Sequence, residues 1–150
     1  MPPDSPAVDK QKLRSKLDHI SNAKRRLETI GAKGRAAFLA DEILQAASIR
    51  FLQTAVEAML DIANHVTARE GLGLPTSYRE SIEILLRGGL LPSDHGESFL
   101  RMVGFRNRVV HMYDDVAAAE VYGIIENDLK DFDAFIRAIV SRYFDAARDH

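Results

Sequence analysis

Four side chains that could act on a phosphodiester lie close together in the sequence: Arg106, Asn107, His111 and Tyr113. A histidine titrates near neutral pH and can move a proton to or from a ribose 2'-hydroxyl. An arginine can hold a phosphate through two parallel hydrogen bonds and stabilise charge that develops on it. Asn107 could orient the imidazole or contact the substrate, and Tyr113 could bind a phosphate or stack on a base. Phosphodiester chemistry is therefore a candidate function.

One predicted helix positions these side chains. Residues 101–113 read RMVGFRNRVVHMY. At about 100° per residue, one broad apolar arc contains Arg106 together with Phe99, Met102, Val103, Val109 and Val110. A guanidinium inside an apolar stripe needs a partner. Arg106 and His111 lie about 140° apart around such a helix and about 7.5 Å apart along it. They converge if the arginine wraps around the helix, if the helix distorts near His111, or if a second copy completes the site.

A twofold arrangement would bring two such motifs together across a cleft. The apolar stripe around Arg106 would then form part of a dimer contact, and Gly104, near the line of His111, would allow close approach. A structural interpretation stays open beside the catalytic one. In that interpretation Arg106 belongs to an ion pair, His111 is a satisfied structural histidine, and Tyr113 packs against the core. Spacing alone favours the structural interpretation.

A second cluster of polar residues recurs every fourth residue, at Glu57, Asp61 and His65. Two interpretations compete, a carboxylate–histidine metal site and a stripe of structural ion pairs. We favour the ion pairs, because no second helix carries histidine or glutamate at matching spacing. Glu57 and Asp61 are then candidate partners for Arg106.

Composition bounds the class of protein. The chain has 150 residues, 46% hydrophobic and 28% charged, which suits one globular domain. The absence of cysteine excludes disulfides, thiol catalysis and cysteine-ligated metals. The net charge of -2 is uneven, since residues 1–35 carry nine Lys/Arg against four Asp/Glu. No apolar stretch is long enough to span a membrane, and the start MPPDSPAV does not have the pattern of a signal peptide, so we expect a cytoplasmic protein that does not bind a membrane. We also expect no metal and no cofactor.

Hydrophobic periodicity predicts an all-α, up-down bundle of four to five helices. The predicted helices cover about residues 10–30, 36–69, 77–86, 93–113 and 114–146. Ser77 and Glu80 form a capping box at the third of these, and Asp114 or Asp115 is expected to cap the last. Three of the five prolines fall within the first six residues. We therefore predict a disordered tail over residues 1–8 and a single helical domain over residues 9–150.

The stretch FRNRVVHMY resembles the R-x-x-x-x-H-x-Y signature of HEPN-domain proteins, specifically the HepT-like toxin branch. The layout from AVEAMLDIANHV through PTSYRESIEIL and RGGLLP to the final helix is similar as well, over about residues 36–140. The resemblance implies a homodimeric helical bundle whose paired motif helices line a shared cleft. It implies metal-independent endoribonuclease activity, with Arg106 and His111 as catalytic residues and Asn107 in support.

The resemblance also implies a partner. Toxins of this family are commonly encoded with a minimal nucleotidyltransferase antitoxin that binds the toxin and can transfer AMP to the motif tyrosine, here Tyr113. On this basis the chain is expected to be the toxin of a type II toxin-antitoxin system that acts on RNA. The alternative is a non-catalytic helical module that binds nucleotides or serves as the stable partner of a nucleotidyltransferase.

Overall fold

The computed structural model describes residues 7–111 and 116–145, and in these residues the chain is all-α and contains no strand. The helices are α1 (Lys10–Gly31), α2 (Arg35–Leu39), α3 (Glu42–Arg69), α4 (Tyr78–Arg87), α5 (Gly96–His111), α6 (Ala118–Asn127) and α7 (Leu129–Tyr143). A 3-10 turn over Ser93–His95 leads directly into α5. The predicted all-α class is confirmed, and residues 7–111 and 116–145 form seven α-helices where four to five were expected. Residues 1–6 lie outside the described residues, so the disordered tail stays a prediction.

The long helix α3 lies at the centre of the bundle, and α1 packs along it. Leu13, Ile20 and Leu27 recur on one face of α1 and are fully buried there, as their spacing predicts. Four phenylalanines from α2, α5 and α7 are also fully buried: Phe38, Phe99, Phe132 and Phe135. Burying aromatic side chains contributes a large share of the hydrophobic stabilisation of a small domain. One continuous core therefore holds the motif helix α5 against the rest of the chain.

The second predicted helix is broken, because Asp41 caps a new helix instead of continuing the old one. The Asp41 carboxylate accepts hydrogen bonds from the backbone N–H groups of Ile43 at 2.9 Å and Leu44 at 3.1 Å. The side-chain amide of Gln45 donates to the carbonyl oxygens of Phe38 and Leu39 at the end of α2. These bonds satisfy the backbone groups that a helix break exposes.

The last predicted helix is also divided, into α6 and α7 with a break at Asp128. Aspartate competes with helical hydrogen bonds through its short polar side chain, which favours such a break. The expected cap at Asp114 or Asp115 is wrong, since Ala117 is the N-cap residue of α6. Asp114 and Asp115 themselves lie outside the described residues. The end of α7 at Tyr143 falls three residues before the predicted end.

The elements on either side of the motif helix agree with the sequence more closely. The Ser77 hydroxyl accepts the backbone N–H of Glu80 at 3.1 Å and begins α4, as predicted. The Glu80 carboxylate reaches back to the backbone N–H of Thr76 at 3.3 Å, one residue earlier than the expected capping box. At the start of α5, Nδ1 of His95 lies 2.8 Å from the buried Asp131 carboxylate on α7. This contact fixes the beginning of the motif helix.

Among the described residues, no helix combines the length and the apolar character needed to cross a membrane.

Candidate active site

Three of the four candidate residues lie on α5, which stays α-helical through His111. Tyr113, the fourth, lies outside the described residues. The helix therefore shows no distortion before His111, and the five-residue separation of Arg106 and His111 keeps its helical geometry.

Arg106 is anchored within its own chain. Its side chain is 17% exposed, and both Nε and Nη2 donate to one carboxylate oxygen of Glu57 on α3, each at 3.1 Å. Nη1 donates to Oδ1 of Asn107 at 3.2 Å. The Arg106 Cζ atom also lies 5.2 Å from the centroid of the Tyr78 ring, which is the distance of a cation–π contact. The sequence prediction of a partner for Arg106 is confirmed.

The two acids proposed as partners are used differently. Glu57 binds Arg106, whereas Asp61, one turn later on α3, accepts from Nζ of Lys16 at 2.8 Å. His65, the third member of the stripe, accepts the backbone N–H of Asp9 at its Nε2 atom at 2.9 Å. Each member has a structural partner, which supports the ion-pair interpretation. No cluster of three potential metal ligands occurs in residues 7–111 and 116–145.

The surroundings of His65 change its titration. Burial lowers the pKa of the imidazole below its ordinary value, and the positive charges of Lys12 and Arg69 lower it further, against the opposite effect of the Asp9 carboxylate. Since Nε2 must be unprotonated to accept the Asp9 N–H, the lowered pKa matches the hydrogen bond that joins α3 to the N-cap of α1.

Arg106 retains hydrogen-bonding capacity for a ligand. A guanidinium carries five N–H groups, and three of them donate to Glu57 and Asn107. In the described part of the chain no further acceptor engages it, so one N–H group on Nη1 and one on Nη2 are available. Two such donors match two oxygens of a phosphate.

His111 lies at the exposed end of α5. It shares an exposed face of the helix with Arg101, Gly104 and Asn107, because these positions repeat at helical spacing. In residues 7–111 and 116–145, no hydrogen bond or ion pair joins His111 to Arg106. Within the described residues, Asn107 is therefore hydrogen-bonded to Arg106, whereas His111 shares the face of Asn107 without a hydrogen bond or ion pair to Arg106.

The apolar stripe around Arg106 belongs to the core of the chain. Phe99, Met102, Val103 and Val109 are buried against other helices of the same molecule, and Val110 alone among the predicted stripe residues is exposed. Most of this stripe is therefore unavailable for a dimer contact, and the dimer itself stays a prediction. An arginine can lie in the stripe because Glu57 supplies the counter-charge.

Tyr78 is a site residue that the sequence did not indicate. It is the first residue of α4, half-buried, and lies 28 positions before Arg106 in the chain. Their contact depends on how α4 packs against α5, and no motif or periodic pattern links the two positions.

Comparison with known proteins assigns the chain to a family. Residues 18–139 match the family model described as Ribonuclease HepT-like. This chain belongs to the ribonuclease HepT-like family. The match includes α5 with Arg106, Asn107 and His111, so the resemblance found in the motif is confirmed, as is the predicted enzyme class of ribonuclease.

Individual HepT relatives agree with this assignment. The mRNA nuclease HepT of Shewanella oneidensis is 33% identical over 125 residues, which cover 83% of this chain and 93% of the relative. The tRNA nuclease HepT of Aphanizomenon flos-aquae is 28% identical over 92 residues, which cover 61% of this chain and 63% of the relative. A solved structure of the tri-AMPylated Shewanella oneidensis HEPN toxin in complex with MNT antitoxin has a TM-score of 0.81 at 32% identity, over 87% of this chain and 97% of that one.

Proposed function

We propose that this protein is the toxin of a type II toxin-antitoxin system and cleaves RNA as a metal-independent endoribonuclease. The proposal depends on one observation in this chain of the ribonuclease HepT-like family: Arg106 is fixed by an ion pair and still has N–H groups available for a phosphate. Arg106 is held rigidly by Glu57 and still offers two N–H groups, and the exposed His111 lies on the same helix. A guanidinium for the phosphate and an imidazole for the proton are the groups that RNA cleavage without a metal requires.

In the proposed homodimer, Arg106 of one chain and His111 of the other come together, which they do not do within one chain. His111 and Arg106 lie on different sides of α5, so a second copy facing the exposed side of α5 brings its own imidazole towards Arg106 of the first. A Cβ atom added to Gly104 would meet no atom within 4 Å, so this side of the helix is open to close approach. A largely apolar groove of about 730 Å³ between α5 and α6 adjoins it, lined in part by Met102, Phe105 and Ile124.

The chemistry follows from these positions. His111 of one protomer removes the proton from a ribose 2'-hydroxyl, and the 2'-oxygen forms a bond to phosphorus. The bond between phosphorus and the 5'-oxygen breaks, and the partner subunit's His111 protonates that leaving oxygen. Arg106 stabilises the negative charge that builds up on the phosphate oxygens, and Asn107 holds the guanidinium in place. The products are a 2',3'-cyclic phosphate and a free 5'-hydroxyl.

We also propose that an antitoxin inhibits this ribonuclease activity. The structural neighbour from Shewanella oneidensis is an AMPylated toxin in complex with MNT antitoxin. We infer that this chain likewise binds a nucleotidyltransferase antitoxin in the cytoplasm, and that Tyr113 receives the AMP. An adenylate on Tyr113 would add an anion to the motif, and this anion would compete with the RNA phosphate for the Arg106 guanidinium.

The direct test uses the purified protein, end-labelled RNA and EDTA. The wild type is expected to cut the RNA and leave 2',3'-cyclic phosphate ends, and His111→Ala is expected to lower the rate by about 10²–10³. Because His111 is exposed, the variant should keep its helical circular dichroism spectrum and melting temperature. His19→Ala, which removes an exposed histidine from α1, is the matched control and should cut like the wild type. Absence of cleavage by the wild type would instead favour the non-catalytic module.

A further inference from the structure

A small cavity lies next to the aromatic ring that contacts Arg106. Its volume is about 320 Å³, and its walls are Asn64, Pro75, Thr76, Ser77 and Tyr78. Ligand cavities in proteins begin at about 300 Å³, so this volume suits a single planar ring system. We propose that the cavity binds a nucleobase beside the scissile phosphate and selects guanine and uracil, which carry a carbonyl oxygen at the position where adenine and cytosine carry an amino group. This inference rests on the proposed ribonuclease function and specifies how its RNA is selected.

The position of Tyr78 connects the cavity to the phosphate site. The ring lines the cavity and also lies 5.2 Å from the Cζ atom of Arg106. A phosphate bound to the free N–H groups of Arg106 therefore places the base of an adjoining nucleotide within reach of the cavity. Unstacked bases of single-stranded RNA bind proteins by stacking on aromatic rings, and Tyr78 with the neighbouring ring of Pro75 offers such a surface.

The polar groups of the cavity are mainly hydrogen-bond donors. The Ser77 hydroxyl accepts the N–H of Glu80, which leaves its own O–H for a ligand. Oδ1 of Asn64 accepts from the Ser81 hydroxyl, and its amide NH₂ has no acceptor within residues 7–111 and 116–145. The Thr76 hydroxyl donates its proton to Glu80 at 3.1 Å and has no second donor to offer a ligand. A base that turns a carbonyl oxygen towards Ser77 and Asn64 therefore complements the cavity better than a base that turns an amino group towards them.

This chemistry separates the four bases into two pairs. Guanine and uracil carry a carbonyl oxygen, O6 or O4, where adenine and cytosine carry an amino group. The amino group would face the amide NH₂ of Asn64 as donor against donor, so neither group gains the hydrogen bond that a carbonyl oxygen would accept. We expect cleavage next to guanine or uracil to be about tenfold faster than next to adenine or cytosine.

The experiment compares single-stranded RNA oligonucleotides with each of the four bases at the nucleotides that flank the cleavage site. The wild type should show the tenfold preference, and Asn64→Ala should still cut but reduce the preference to within about twofold. Asn22→Ala, which removes an exposed amide from α1, is the control and should keep it. Equal cleavage of all four bases by the wild type, or a preference that survives Asn64→Ala, would overturn the inference.

A second variant tests the stacking surface. Tyr78→Leu should raise KM about tenfold for every base, because stacking does not depend on base identity, whereas Tyr78→Phe should stay near the wild type. An unchanged KM for Tyr78→Leu would remove the ring from the base site. If the wild type does not cleave RNA at all, the proposed function fails, and the same preference measured as oligonucleotide binding by fluorescence anisotropy still decides the cavity's role.

Discussion

Arg106 is a charged residue kept at the edge of an apolar core, and its surroundings show how this is possible. Two of its nitrogens donate to Glu57, and its planar group lies near the ring of Tyr78. These contacts fix the guanidinium on a rigid scaffold of three helices. A rigid donor stabilises developing charge better than a mobile one, since it needs no reorganisation during the reaction.

At the residue scale, Glu57 should act as a positioning residue. Glu57→Gln keeps the size of the side chain but removes the charged acceptor, so Arg106 becomes less well held. We expect kcat for RNA cleavage to fall about tenfold with little change in KM, because a small misplacement of a catalytic group mainly affects the transition state.

The matched control is Glu83→Gln on α4, whose carboxylate lies 4.0 Å from Arg79 and away from Arg106. It should cut RNA at the rate of the wild type. A Glu57→Gln variant with unchanged kcat would show that the ion pair with Arg106 serves packing alone.

Residue-level prediction from the sequence reached a definite limit here. An arginine among apolar residues requires a counter-charge, and this reasoning correctly reduced the candidates to Glu57 and Asp61. The choice between them depends on where α5 crosses α3 and on Lys16 of α1, which binds Asp61 instead. A sequence periodicity describes one helix at a time and carries no information on such crossings.

At the scale of elements, the motif helix is held at its start and in its middle. His95 and the buried Asp131 fix the beginning of α5 to α7, and Arg106 with Glu57 fixes its middle to α3. The last turn is held as well, because Arg108 forms an ion pair with Glu120 on α6. These three anchors leave the exposed side of α5, with Gly104 and His111, available to a second molecule in the proposed dimer.

The break between α2 and α3 can be tested through its cap. Asp41→Ala removes the acceptor of the Ile43 and Leu44 N–H groups, and we expect the free energy of unfolding to fall by about 1 kcal/mol. Urea denaturation measures this as a lower midpoint at an unchanged slope.

Asp18→Ala provides the comparison, since Asp18 is an exposed aspartate inside α1 and its loss should change stability by less than about 0.5 kcal/mol. Equal midpoints for Asp41→Ala and Asp18→Ala would mean that the Asp41 carboxylate does not support the helix start.

The two helix breaks were missed for a common reason. Apolar residues continue at helical spacing on both sides of Asp41 and of Asp128, so the periodic signal does not stop. An aspartate inside a helix and one at a cap look alike in sequence, and only the tertiary contacts distinguish them. Stronger signals, such as Ser77 before α4 and Gly31 at the end of α1, gave boundaries close to the observed ones.

At the scale of the whole molecule, the proposed regulation by an antitoxin can be tested through the modification of Tyr113. Co-expression with the nucleotidyltransferase should add one or more adenylate groups, which intact-mass analysis resolves, and the modified protein should lose RNA cleavage. Tyr113→Phe should remove the added mass and restore cleavage. An adenylate mass that persists in Tyr113→Phe would place the modification on another residue.

The family and the all-α class were accessible from the sequence, because the spacing of Arg106, Asn107, His111 and Tyr113 occurs in a recognisable series of helical segments. The way one molecule meets another was not. Most of the apolar residues of α5 that suggested a dimer contact are buried in the core of the same chain. Their periodic pattern therefore reflects packing within one molecule. Surface complementarity between copies leaves no periodic signal in one sequence.

The central claim is that Arg106 of one copy and His111 of another act on the same phosphate. Two differently tagged chains, one with Arg106→Ala and one with His111→Ala, can be co-expressed and the heterodimer purified through both tags. We expect the heterodimer to cleave RNA more slowly than the wild type, because it keeps only one of the two histidines. It should still cleave at least about tenfold faster than either mutant homodimer, because each homodimer lacks either every Arg106 or every His111. A heterodimer no more active than the two inactive homodimers would contradict it.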